Sequence, residues 1–175
     1  MEPRSRHTHP IDLAPEPSWH EIFLPAQPEI LIADRRWRRS VPDVERRVLR
    51  ALQAANDWLG VERAPTVLLE TDRAVKRLNH VFRGKNKPTN VLTFEATTGS
   101  GGDIALGFDT VRREARAARR TIGHHLAHLV VHGSLHLGGY DHHHPGEARE
   151  MESAEARILH RIGVPNPWRP GRSLP

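Results

Sequence analysis

Hydrophobic positions along this chain change period several times, and each change marks an element. "EILIADRR", residues 29–36, reads as a first strand. In "SVPDVERRVLRALQAANDWLG" the stripe Val44, Val48, Leu52, Ala55, Leu59 recurs at three-to-four spacing, predicting a helix with Ser40 as cap and Gly60 as stop. "PTVLLE" is a short strand. "TDRAVKRLNHVFRG" is a second helix, capped by Thr71 and closed by Gly84. "NVLTFEA" alternates with a period of two, and "GDIALG" is its neighbour across the glycine-rich residues 99–102. From residue 109 the chain is mainly helical. Within 109–122, Val111, Ala115, Ala118 and Ile122 take one arc. Arg112, Arg113, Arg116, Arg119 and Arg120 fall within about 120° of another, a basic ridge. The fold class is α+β: a small mixed sheet of about four strands packed with about five helices.

The ends differ from the middle. Residues 1–28 are rich in Pro, His and Glu without periodicity, and read as a flexible N-terminal extension. Residues 165–175 form a Pro-rich C-terminal tail, leaving 29–164 as a single domain. Lys plus Arg outnumber Asp plus Glu by 26 to 21, and the pI is near 10.6, which fits a polyanionic partner such as nucleic acid. There is no cysteine, so disulfides and thiolate metal sites are excluded. The N-terminus lacks the apolar core of a secretory signal, and no run reaches the ~18 apolar residues of a membrane span. The expected location is the cytoplasm.

Candidate chemistry concentrates in "VVHGSLHLGGYDHHHPGE", residues 130–147. His132 and His136 lie one helical turn apart, close enough for both imidazoles to reach one metal ion. Gly138-Gly139 lets the backbone turn back, so a third nitrogen can come from His142, with His143 and His144 as alternatives on spacing alone. Three neutral imidazoles leave the ion's double charge intact and one position open, the layout of a catalytic site on a C-terminal helix and the following turn. His124 and His128, further back on that face, suit packing or support of a ligand. Asp141 either orients a ligand imidazole or caps the turn. The helical zinc-protease motif H-E-x-x-H needs a Glu after its first ligand; here that residue is Gly133, and Ser134 and Tyr140 are weak substitutes.

"HGSLHLGGYDH" closely resembles the signature of the YbeY family, metal-dependent endoribonucleases of ribosomal-RNA maturation. "LNHVFRGKNKPTNVLTF" at 78–94, "GDIAL" from Gly102, and "EMESAEARILHRIGVPNPW" with Met151, Glu155, Ile158 and Leu159 resemble further blocks in the expected order. The resemblance covers about residues 30–168. It implies that His132, His136 and His142 hold a metal, usually Zn2+, and that Arg83 engages RNA phosphate beside it. Lys85 and Lys87 extend that arginine into a basic track, and the Arg112–Arg120 ridge gains weight as a second rail. Asn86 stands where relatives often have Asp, Thr93 where Ser is usual, and Gly138 where an apolar residue is commoner, which would loosen the turn.

The implied activity is cleavage of single-stranded RNA in maturation of the 16S rRNA 3′ end and in ribosome quality control. Its partners are RNA and the small ribosomal subunit, with no membrane. A bound divalent ion would stabilise phosphoryl charge and activate water; attack by the ribose 2′-hydroxyl is the alternative chemistry. The competing readings are a zinc peptidase and a non-catalytic RNA-binding or ribosome-binding module with a structural metal.

Overall fold

A computed structural model describes residues 27–86, 89–96, 101–141 and 144–168. Its sheet contains β1 (Glu29–Ile32), β2 (Thr66–Glu70), β3 (Val91–Phe94) and β4 (Asp103–Gly107). The order is β1-β2-β4-β3. β1, β2 and β4 run parallel, and β3 pairs antiparallel with β4 at one edge. Side-chain alternation sends Val67, Leu69, Ile104 and Leu106 into the main core, and Leu92 and Ala105 to a smaller cluster on the other face.

Among the described residues six helices cover this sheet: α1 (Arg36–Ser40), α2 (Val44–Leu59), α3 (Asp72–Arg83), α4 (Phe108–Ala117), α5 (Ile122–Leu137) and α6 (Pro145–Arg161). α5 is the centre. It packs against α2, α4 and α6 and against β3 and β4. Eleven of its 16 residues are buried, as expected of a helix surrounded by others. α3 covers the opposite face of the sheet, with Val75 joining Leu92 and Ala105. Among the described residues no helix is long and apolar enough to cross a membrane.

Several predicted features recur. Thr71 Oγ1 accepts the Ala74 N–H at 3.3 Å, and Gly60 and Gly84 close their helices at φ 65. Others are displaced for local reasons. β1 stops at Ile32 rather than running to Arg36. Asp34 accepts the Arg36 backbone N–H at 3.0 Å, and Asp34 and Asp109 together hold its guanidinium, which turns the chain into α1. Ser40 therefore ends α1, and α2 begins after Asp43, which sits at φ 51.

The helix expected over 109–122 is two helices. Arg119 adopts φ 52 after α4 has ended, and Thr121 Oγ1 caps α5 by accepting the His124 N–H at 3.1 Å. Ile122 thus opens α5, and the five arginines do not share one helical face. Arg112 pairs with Asp109, and Arg120 donates to the Pro167 carbonyl. The N-terminal extension lies outside the described residues apart from Gln27 and Pro28. So do residues 169–175 of the tail.

Candidate active site

The site lies where α5 crosses the sheet closely. A Cβ on Gly133 would stand 3.1 Å from both Ile104 Cγ2 and Thr93 Cγ2, so a glycine there lets the helix approach β3 and β4. Position 133 consequently faces the sheet. His132 and His136, on the neighbouring arc, point instead into a cleft of about 490 Å³ that is also lined by Arg83, Asn90, Thr93, Glu95, Tyr140 and Asp141.

The two imidazoles converge. His132 Nε2 and His136 Nε2 are 3.1 Å apart. Their other nitrogens are oriented from behind. His136 Nδ1 lies 2.9 Å from the Tyr140 carbonyl, which can only accept, so Nδ1 carries the proton and the neutral ring turns a lone pair inward at Nε2. His132 Nδ1 lies 2.7 Å from Glu155 Oε1, a carboxylate that sets the same tautomer. Two nitrogens bound at 2.0–2.1 Å in tetrahedral geometry would stand roughly 3.3 Å apart, so this donor pair fits a divalent metal. Among the described residues there is no set of three His, Asp or Glu side chains placed to hold a metal. His142, the expected third ligand, lies outside the described residues, as do His143 and Lys87.

Glu155 is the buried anchor of this arrangement. It is 0% exposed and receives His132, His128 Nε2 at 3.0 Å and the Trp168 indole N–H at 3.0 Å. Burial pushes its pKa up, and the hydrogen bonds from His128 and His132 outweigh that effect and hold it at about 2. His128 therefore supports the site through the same carboxylate. Trp168 brings the C-terminal segment onto it. A second chain runs beside the first: His125 Nε2 meets Glu114 Oε2 at 2.9 Å, and Glu114 accepts from Asn90 Nδ2 at 3.0 Å. Asn90 lines the cleft and starts β3 by accepting the Val91 N–H at 2.7 Å.

Arg83 ends α3, and its Nη2 donates to the Thr93 carbonyl at 3.0 Å across the β3 edge. Arg83 lines the same cleft as His132 and His136. A YbeY model, described as endoribonuclease YbeY, matches residues 27–163. The chain belongs to the YbeY family. An endoribonuclease YbeY of Gluconobacter oxydans (strain 621H) is 55% identical over 176 residues, covering 98% of this chain and 94% of that protein. Another, from Rhodopseudomonas palustris (strain BisA53), is 43% identical over 159 residues, covering 83% and 92%. A solution structure from Thermotoga maritima shares the fold, with a TM-score of 0.53 at 22% identity over 84% of this chain and 99% of that one.

Against this YbeY framework the sequence-derived residues divide clearly. Arg83, His132 and His136 share one cleft. Lys85 is exposed past the end of α3 and does not line it. Glu155 and the Tyr140 carbonyl orient His132 and His136, and Asp141 lines the cleft. Ser134 is buried and donates back to the Val130 carbonyl at 2.8 Å, and the Tyr140 hydroxyl accepts from Trp58 Nε1 at 3.3 Å. The glycine at 138 does not leave a void: a Cβ there would meet both Leu59 methyls at 2.7 Å, so Leu59 occupies the space. Glu95 and the His125–Glu114 pair carried no signal in a single sequence, and Asn90 stood only as part of the block at 78–94. Gly133 carried one, as a glycine inside a helical run.

Proposed function

We propose that this chain is a single-strand-specific endoribonuclease that matures ribosomal RNA, at the 16S 3′ end, and acts in ribosome quality control in the cytoplasm. One Zn2+ would be held by His132, His136 and His142. The observation that carries this reading is the 3.1 Å convergence of His132 Nε2 and His136 Nε2 beside Arg83, in a chain of the YbeY family. When bound, a divalent ion supplies Lewis acidity toward phosphate oxygens and activates water at neutral pH.

The chain's own residues supply the rest. Arg83 offers a planar, permanently charged fork to a phosphodiester, positioned by its bond to the Thr93 carbonyl. Glu155 and the Tyr140 carbonyl hold the imidazole rings in one tautomer, so the site is organised before RNA arrives. Glu95 and Asp141 are cleft carboxylates able to accept a proton as water attacks. The peptidase reading loses support, because residue 133 faces Ile104 and Thr93, where a glutamate could not serve the cleft.

Metal content by mass spectrometry, measured alongside RNA cleavage, tests the proposal. Wild type should carry one divalent transition metal and cleave single-stranded RNA. His132→Ala should lose both metal and activity. Arg83→Ala should keep the metal and lose roughly 100-fold or more in cleavage. If His132→Ala cleaves normally and only melts earlier, the metal is structural. A 2′,3′-cyclic phosphate product would assign attack to the ribose hydroxyl.

A further inference from the structure

The apolar stripe of α3 runs past the sheet it covers. Val75 is fully buried and Leu78 half-buried, but Phe82, on the same arc, is 64% exposed, and Val81 beside it is 67% exposed. These are the most exposed large hydrophobic residues among those described. The Phe82 ring rests against Phe94, centroids 5.0 Å apart at 59°, and Phe94 is seated on the cluster of Val75, Leu92 and Ala105. One face of an aromatic ring is thus braced from beneath while the residue stays largely open.

Two acidic residues stand near Phe94, Glu95 next to it in sequence and Asp103 opposite it on β4, but the end of α3 and the residues after it are basic. From Arg73 to Asn90 the sequence holds no Asp or Glu, and Arg73, Lys76, Arg77, Arg83 and Lys85 are all exposed. None of these five enters an ion pair among the described residues. Phe82 and Arg83 are consecutive, so they diverge by about 100° on the last turn. Arg83 reaches the Thr93 carbonyl and the cleft, whereas Phe82 lies on the Phe94 side of β3, the edge strand. The ring meets β3 at Phe94, and the guanidinium meets it one residue earlier, at Thr93.

We propose that Phe82, braced by Phe94, is a stacking platform for an unpaired nucleobase of the RNA, adjoining the nucleotide whose phosphate meets Arg83. An apolar protein partner would suit Val81 and Phe82 equally, but it would not call for the exposed cations Arg83 and Lys85 within three residues of Phe82. A single-stranded polyanion with a π-face on every unit calls for both. This inference rests on the endoribonuclease reading.

The probe is a single-stranded RNA oligonucleotide carrying 2-aminopurine at successive positions, with the full chain. One position should change fluorescence on binding to wild type. Phe82→Leu should abolish that change and raise KM for cleavage about 5- to 100-fold, with most of the loss in KM rather than kcat. Phe82→Trp should restore the signal. An abasic nucleotide at the responsive position should weaken binding to wild type by a similar factor, a readout that needs no altered protein. Unchanged KM and fluorescence in Phe82→Leu, with wild type cleaving normally, would overturn the platform alone and leave the patch to a protein partner. A wild type that neither binds nor cleaves RNA would overturn the endoribonuclease reading and the platform with it.

Discussion

His125 and His128 stand in the first half of α5 much as His132 and His136 stand in the second. Each pair is one helical turn apart, and each half has a ring bonded to a glutamate, His125 to Glu114 and His132 to Glu155. Their surroundings differ. The side chains of His125 and His128 are 9% and 12% exposed, and each keeps a buried Nδ1 with no hydrogen-bond partner among the described residues. His132 is 23% exposed and opens on the cleft, with its Nε2 turned toward that of His136. Spacing along a helix therefore does not make a site. What faces the helix decides: packed side chains for the first half, and the open edge at Arg83 and β3 for the second.

Glu155 joins the halves, because it serves His128 and His132 at once. Glu155→Ala is expected to have the largest effect. It would leave two imidazoles and the Trp168 indole without their buried acceptor, costing roughly 3–5 kcal/mol. Urea unfolding would measure this, and a loss below about 1 kcal/mol would separate the halves energetically. Glu155→Gln preserves volume and should cost less stability. It should still weaken metal binding about 10- to 100-fold, read by competition with a chromogenic chelator, because His132 loses its carboxylate.

The two glycines of α5 compare the halves in a second way. Gly133→Ala brings a methyl to 3.1 Å from Ile104, which is fully buried and cannot yield, so a loss of about 1–3 kcal/mol is expected. Adding Thr93→Ser removes one of the two opposing methyls and should recover part of that loss. For Gly123→Ala the nearest atoms are Val41 Cγ1 at 3.3 Å and the flexible Arg47 stem at 3.5 Å. It should leave stability unchanged or raise it by up to about 1 kcal/mol through helix propensity. Equal losses at 123 and 133 would refute the idea that close approach to the sheet is special to the second half.

Much of this was legible in the chain. The α+β layer, the four strands and the metal-type histidine spacing follow from periodicity, because local patterning fixes which faces are apolar. The breaks were not legible. Arg119 at φ 52 and the Asp34–Arg36–Asp109 clamp depend on partners far along the chain, and periodicity is silent on them. The family motifs pointed to His132, Arg83 and Glu155 but not to the bonds by which Glu155 and the Tyr140 carbonyl orient the rings. His125, Glu114 and Asn90 come together only when β3 is laid beside α5, from three separate segments. Trp168 reaches Glu155 from the end of the last family-like block, and no periodic signal marks a single indole N–H.

The smallest expected effect isolates the first half. Burial lowers the pKa of His125 below its ordinary 6.5. His128 and Arg120 push in the same direction, and the hydrogen bond and charge of Glu114 oppose them. The folded chain therefore holds His125 neutral at a pH where the unfolded chain has already protonated it. The unfolded state binds more protons below about pH 6.5, so stability must fall as pH drops through that value. At pH 5.5 this one residue should account for up to about 1 kcal/mol. His125→Gln keeps an amide donor for Glu114 and cannot titrate. Thermal melts between pH 7.5 and 5.5 should therefore show a flatter decline in the variant than in wild type. Parallel declines would mean that His125 takes up its proton within the folded protein. The first half of α5 would then be as open to charge as the cleft, and the contrast between the two histidine pairs would not hold.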